Sequence, residues 1–389
     1  MTELGTQTLP AAAPRRVLAV GAHLKNTACL LDGRQVRWSP LHGDLSTPEA
    51  CLALEASVEA LLAEAAGTPD AIAHDLHPDF HSSRLAAAWA ARLGVPLWPV
   101  QHHEAHIAVV QAEQGWPPGQ PLVGLALDGV GLGPDGRAWG GEVLCCRHAG
   151  AQVLAHLPWL AMPGGDAAAR EPWRLAAALL HAHGRGDEIV ARFAPQVGMA
   201  MAQGVRQLLR RGVQCPPTRS AGRWFDAAAG ALALNLRQAH EAQAAQALEQ
   251  AAARWHGRHG QWPAAPAASL DLATLAGELL DETDSERGAA RFHAGLADGL
   301  VQAAHDAARG CGARAVALGG GCFFNRILSA RVDAGLQAAG LQPLRPRSLS
   351  IGDAGLALGQ AWAAAQALAA GQDRARSPDP TARTAALET

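Results

Sequence analysis

The chain has no charge excess of either sign, no Cys-x-x-Cys pair, no apolar run of membrane-spanning length and no phosphate-binding P-loop. With 32 Lys+Arg against 35 Asp+Glu, the formal charge of -3 supplies no field for nucleic acid or anionic lipid. No charge-free apolar stretch reaches about 18 residues, and the N-terminal segment MTELGTQTLPAAAPRR contains no apolar run behind a basic start, which argues against membrane insertion and secretion. The seven cysteines (Cys29, Cys51, Cys145, Cys146, Cys215, Cys311 and Cys322) lack zinc-finger spacing, and a bridge between adjacent Cys145 and Cys146 would be strained. They read as reduced thiols in a cytoplasm. The absence of G-x-x-x-x-G-K-[ST] leaves any nucleotide to bind between lobes rather than on a P-loop.

What the chain does have is apolar material and histidine. Its 389 residues are 49% hydrophobic, enough for two or three lobes with real cores. Six of the 17 histidines (His74, His77, His81, His102, His103, His106) fall in one short stretch. Residues 1–14 and 370–389 read as disordered tails, 15–150 as an N-terminal lobe, and 151–369 as a C-terminal lobe with a helical insertion over about 185–310. Apolar runs at 16–21 and up to Leu31 read as a hairpin, and 71–75, 97–100, 121–128, 141–146 and 314–318 as strands. Helical periodicity covers 47–66, with Thr47 as N-cap, 82–93, most of 166–310, and 353–368. Strands alternating with helices in both halves indicate an α/β protein of two lobes.

His102 and His106 are four apart, so on a helix they share a face with Cβ atoms about 5–6 Å apart, and two imidazoles can grip one cation. The same spacing also suits two half-exposed helix histidines. Glu104 is at the wrong offset for a zincin. Asp128 ends an apolar strand beside a glycine turn, a placement fit for a metal, a phosphate or an Asx-type cap. Asp353 at a helix start reads equally as a ligand or an N-cap. Lys25 and Asn26 lie at the first hairpin turn, where a cation and an amide suit phosphate. Gly319-Gly320-Gly321 permits close backbone approach, and Asn325 opens the next helix. Arg170–Arg174 and Gly222–Asp226 mix charge with aromatic residues.

Taken together, Ala19–Thr27, Ala73–Asp79, Val100–Ala108, Leu127–Gly129 with Trp139–Glu142, Pro163–Asp166 with Arg170–Arg174, Gly222-Arg223 with Phe225-Asp226, Gly320-Gly321 with Asn325-Arg326, and Asp353–Gly355 with Gly359-Gln360 resemble one family. It is the HypF carbamoyltransferase family of nickel-iron hydrogenase maturation. The matches run from about 17 to 362 and cover that family's C-terminal half, which is similar to the TsaD-like threonylcarbamoyl-tRNA and antibiotic O-carbamoyltransferase families. Full-length members begin with an acylphosphatase-like domain, zinc fingers and a YrdC-like domain that makes carbamoyl-adenylate, and the resemblance does not extend to these segments. The chain therefore resembles a short form or an isolated C-terminal module.

The resemblance implies two RNase-H-like lobes of the actin/Hsp70/sugar-kinase type with nucleotide in the cleft. It implies iron or zinc on His102, His106, Asp128 and Asp353, and carbamoyl transfer from carbamoyl-adenylate, or carbamoyl phosphate with ATP, to the C-terminal cysteine of HypE. Lys25, Asn26 and Arg170 are then expected at the reacting group, and Gly129, Gly131, Arg223, Asp226, Gly320, Gly321 and Asn325 at the nucleotide and carbamoyl groups. Where the family has His-His-His-Ala-His this chain has His102-His103-Glu104-Ala105-His106, Ser-Ser-x-Gly-Arg becomes Arg219–Arg223, and Tyr-Glu-Gly-Gln becomes His240–Gln243, in a chain with no tyrosine. O-carbamoyl transfer, threonylcarbamoyl transfer to tRNA and a non-catalytic HypE-binding scaffold are the alternative readings.

Overall fold

The computed structural model describes residues 5–147, 150–264 and 270–371. Six strands form the first sheet: β1 (Gly5–Thr8), β2 (Val17–Ala19), β3 (Cys29–Asp32), β4 (Gln35–Trp38), β5 (Ala71–Asp75) and β6 (Leu97–Val100), in the order β1-β4-β3-β2-β5-β6. Strands β2, β3 and β4 pair antiparallel, whereas β5 and β6 join parallel to β2. The parallel pairs need crossovers, and α1 (Pro48–Ala63) and α2 (His81–Leu93) supply them. Side chains alternate across the sheet. Leu18, Leu30 and Ile72 pack beneath α1 and α2, while Val17, Ala19, Leu31 and Ala73 face the opposite way.

After β6 the chain enters α3 (His102–Gln114) and then a second sheet: β7 (Leu122–Leu132), β8 (Ala138–Arg147), β9 (Gly150–His156), β10 (Leu160–Ala161), β11 (Pro217–Thr218), β12 (Ala315–Gly319) and β13 (Gln342–Leu344). The run β9-β8-β7-β12-β13 repeats the order β4-β3-β2-β5-β6 of the first sheet, with three antiparallel strands followed by two parallel ones. Two RNase-H-like lobes are thus present. The helices of the second half are α4 (Asp166–Arg170), α5 (Pro172–Ala182), α6 (Glu188–Val197), α7 (Met199–Arg211), α8 (Ala221–Ala231), α9 (Gln243–His259), α10 (Leu272–Leu279), α11 (Ser285–Cys311), α12 (Arg326–Ala338) and α13 (Leu356–Ala369).

Three boundaries differ from the sequence reading. The sheet changes between β6 and β7, not near 150, because β7 pairs with β12 some 190 residues later, a partnership that no apolar run reveals. Residues 5–8 are not tail: Gly5-Thr6-Gln7-Thr8 forms edge strand β1 on β4, and Gln7 bonds Glu113 and Trp38. The closing helix α13 returns to the first lobe, where Leu356, Leu358, Ala361 and Trp362 pack with Val17 and Ala73. The tail expected beyond residue 371 lies outside the described residues.

Helix α3 sits between the two sheets. Ala105, Ala108 and Ala112 pack toward α13 in the first lobe, while Ile107 and Val110 pack on Leu122 and Ala126 of β7 in the second. Contact with α13 is close enough that a Cβ on Gly359 would lie 1.9 Å from the Ala105 carbonyl oxygen. This helix aims its N-terminus into the interlobe cleft.

Candidate metal centre

Period-two alternation explains why two acids meet the start of α3. On β5, Ala71, Ala73 and Asp75 share one face, and on β7 Leu122, Gly124, Ala126 and Asp128 share another. Both faces look onto α3, so each strand sets a carboxylate beside a histidine: Asp75 Oδ2 is 2.8 Å from His102 Nδ1, and Asp128 Oδ2 is 2.9 Å from His106 Nε2. Gln101 fixes the helix start. Its side-chain oxygen accepts from the His103 and Glu104 amides, and its amide nitrogen donates to the Leu132 carbonyl.

Asp353 arrives from the other side of the cleft floor, in the one-turn segment that opens α13, where Thr27 Oγ1 donates to the Ala354 carbonyl. Its Oδ1 lies 3.7 Å from His102 Nε2 and 3.5 Å from His106 Nε2. One ligand atom from each of His102, His106, Asp128 and Asp353 falls within 4.8 Å of the others. The set passes a further test of fit: His102 Nε2 is buried without a hydrogen-bond partner, facing the two carboxylates. Imidazole nitrogens with carboxylate oxygens suit a divalent transition metal such as iron or zinc.

Charge in the cluster is strongly coupled. Burial alone would lower the histidine pKa values, but the nearby carboxylates of Asp128 and Asp353 raise both, His102 well above the ordinary range with further help from Asp75. Burial likewise pushes the carboxyls up, and the imidazoles outweigh it, taking Asp128 well below its usual value and Asp353 to about 2. His103 is buried among these charges and held well below the usual imidazole range, so it is the neutral member of the cluster.

Backbone close approach holds the arrangement. Asp128 Oδ1 accepts from the Gly129 amide at 2.7 Å and the Gly321 amide at 3.4 Å. Gly320, at φ +100°, lies so near β7 that a Cβ would stand 2.3 Å from the Leu127 oxygen. A Cβ on Gly131 would meet the His103 ring at 2.6 Å. Ser220, the N-cap of α8, donates to the Asp128 and Gly129 carbonyls. Behind it, Arg219 pairs with buried Glu142 and lies 3.8 Å over the Trp139 ring.

The remaining expected site residues divide. Arg223 and Asp226 pair at 2.9 Å on α8, and burial pushes Asp226 up to about 6. Asn325 caps α12 through Leu328 and donates to His293 Nε2. Lys25 reaches across the cleft to Glu241, whereas Arg170 is exposed at the end of α4. Two expectations need correction. Asn26 is 1% exposed, with its amide nitrogen on the Val20 and Ala22 carbonyls and its oxygen facing His42 Nδ1, so it builds the turn instead of facing a ligand. The Gly129 amide is committed to Asp128 and so is no free donor to a substrate, and Gly131 packs on the histidines.

Asp75 was given no role by sequence reasoning, although Ala71-Ile-Ala-His-Asp75 repeats the signal that marked Asp128, an apolar strand ending in an acid. It is 1% exposed, and its second oxygen accepts from the His77 amide. It thereby fixes the His102 ring with Nδ1 outward and Nε2 toward the centre.

Two family models match the chain, "HypF Kae1-like domain" over 12–113 and "Carbamoyltransferase, Kae1-like Domain, second subdomain" over 124–360. The "Carbamoyltransferase HypF homolog" of Cupriavidus necator is 54% identical over 373 residues, covering 92% of this chain and 94% of that protein. HypF2 of the same organism is 44% identical, but there the match spans 90% of this chain and 46% of the relative, about half its length. A crystal structure of full-length HypF in a phosphate- and nucleotide-bound form superposes with a TM-score of 0.80 at 26% identity, over 93% of this chain and 57% of that one. The chain belongs to the carbamoyltransferase HypF family and is an enzyme of that class.

Proposed function

We propose that the chain transfers a carbamoyl group in hydrogenase maturation, using a divalent metal, iron or zinc, on His102, His106, Asp128 and Asp353. The observation that carries this reading is the donor set itself, two imidazoles and two carboxylates converging from three elements on one point of the interlobe cleft. Bound there, the metal supplies Lewis-acid polarisation and charge neutralisation. The protein's own groups do the rest. Asp75 orients His102, the Gly129 and Gly321 amides with Ser220 hold Asp128, and the Lys25 ammonium at the cleft mouth attracts the phosphate of the donor.

The phosphate- and nucleotide-bound relative supports carbamoyl-adenylate, or carbamoyl phosphate with ATP, as the donor, with Arg223, Asp226, Gly320, Gly321 and Asn325 toward the nucleotide and Arg170 at the rim. The acceptor is the C-terminal cysteine thiol of HypE. The thiol gives up its proton to solvent, its sulfur bonds the carbamoyl carbon, the carbon–oxygen bond to phosphate breaks, and the nucleotide or phosphate leaves with the electron pair. No oxidant or reductant is needed. The near-neutral charge supports a protein acceptor over tRNA.

The test is labelling of a HypE C-terminal peptide from isotopic carbamoyl phosphate with ATP, with and without a separate adenylate-forming domain. Transfer to the terminal cysteine is expected with that domain present. Absence of label in both arms, from metal-loaded and folded protein, refutes the assignment.

A further inference from the structure

Lys25 sits in the β2–β3 turn with φ +45°, a left-handed conformation uncommon for a residue with a side chain. Its amide donates to Asp44 Oδ1 at 2.9 Å, which fixes the backbone and sends the side chain outward. The ammonium then crosses from the first lobe to the segment before α9 in the second, lying 3.2 and 3.0 Å from the two carboxylate oxygens of Glu241, 216 residues away. Burial lowers its pKa, but Glu241, then Asp353 and Asp44, raise it overall. Lys25 thus spans the cleft to a carboxylate of the opposite lobe, within the field of a carboxylate of the metal centre.

We infer that Glu241 is an internal stand-in for the anionic ligand: it neutralises Lys25 across the cleft mouth, and a phosphate-bearing ligand must displace it. The inference rests on the reading of Lys25 as a phosphate contact given above. Two observations favour a displaceable contact over a structural bridge. The side chains are 47% and 71% exposed, and exposed pairs of this kind are weak and screened by salt. Glu241 also has acceptor geometry toward the ammonium with both oxygens, as a phosphate would. Opening the pair frees a cation already held in place, at a cost small enough for one ligand to meet.

Inorganic phosphate binding to the full chain, measured by calorimetry at low ionic strength, tests the gate through Glu241→Gln, Lys25→Gln and the double variant. An exposed pair contributes at most about fivefold, so Glu241→Gln is expected to tighten phosphate about two- to fivefold. That gain should shrink at high salt and vanish in the Lys25→Gln background. Unchanged or weaker binding by Glu241→Gln, or a gain that persists without Lys25, overturns the gate. If Lys25→Gln itself leaves phosphate affinity unaltered, the Lys25 contact proposed for the donor fails as well, so the two failures are distinguishable.

Discussion

Asp75 is the most informative residue to change, because it touches the centre through His102 alone. In the structure its carboxylate accepts a hydrogen bond from His102 Nδ1 at 2.8 Å in a site that is 1% exposed for Asp75 and 4% for His102. Replacing it by alanine leaves a buried N–H without a partner and lets the ring choose the other tautomer or rotate. Either outcome takes Nε2 out of line with Asp128 and Asp353. Carboxylates that orient a metal-bound histidine are generally worth about 10- to 100-fold in metal affinity, or about 1.4–2.7 kcal/mol. Asp75→Ala is expected in this range. Asp75→Asn, which keeps an acceptor oxygen but no charge, should lie nearer its lower end. Competition against a chromophoric chelator measures both, and the thermal midpoint without metal checks the fold. An Asp75→Ala protein that is folded and binds metal as tightly as the parent would refute the claim that His102 must be held by its second nitrogen.

Two further perturbations probe the scaffold. Gly359→Ala drives a methyl to 1.9 Å from the Ala105 oxygen, beside His106, so α3 and α13 must separate. We expect a loss of about 1–3 kcal/mol in chemical denaturation together with weaker metal binding; stability equal to the parent's would contradict the close helix contact. His293 is buried, donates to the Ala289 carbonyl and accepts from Asn325, and burial holds its pKa down to about 4 against an ordinary 6.5. Its neutral form belongs to the fold, so its contribution is complete above pH about 6.5 and is lost as pH falls toward 4, up to about 3 kcal/mol. Burial lowers His42 to about 4 in the same way, so His293→Gln should flatten the acid limb of the stability profile only in part. Parallel profiles for parent and variant would remove His293 from the acid response.

Much of this was legible in the sequence because the local patterns are strong. The apolar run ending at Asp128 is a central strand with the acid at the cleft, and His102-x-x-x-His106 lies on one helix face with both rings at the centre. What was illegible depends on partners distant in the chain. Strands β5 and β7 both carry an apolar run that leads to an acid, and only the pairing of β7 with β12 shows that they belong to different lobes. Strand β1 has no apolar alternation, since its backbone pairs with an edge and Gln7 does the anchoring. Asn26 is a polar residue at a turn, as a ligand contact would be, and only its three internal partners reveal its structural role. Asp75 differs from these: Ala71–Asp75 carries the same local pattern as the run to Asp128, so its place beside a histidine is marked in the sequence.

The central claim is that His102, His106, Asp128 and Asp353 hold a metal, and elemental analysis of purified His106→Ala beside the parent tests it most directly. His106 is buried at the core of the cluster with Asp128 at 2.9 Å, so its loss removes one imidazole and unpairs a carboxylate. Stoichiometric iron or zinc is expected in the parent, and little or none in a variant whose circular dichroism matches the parent's. Equal metal content in the two proteins would contradict it.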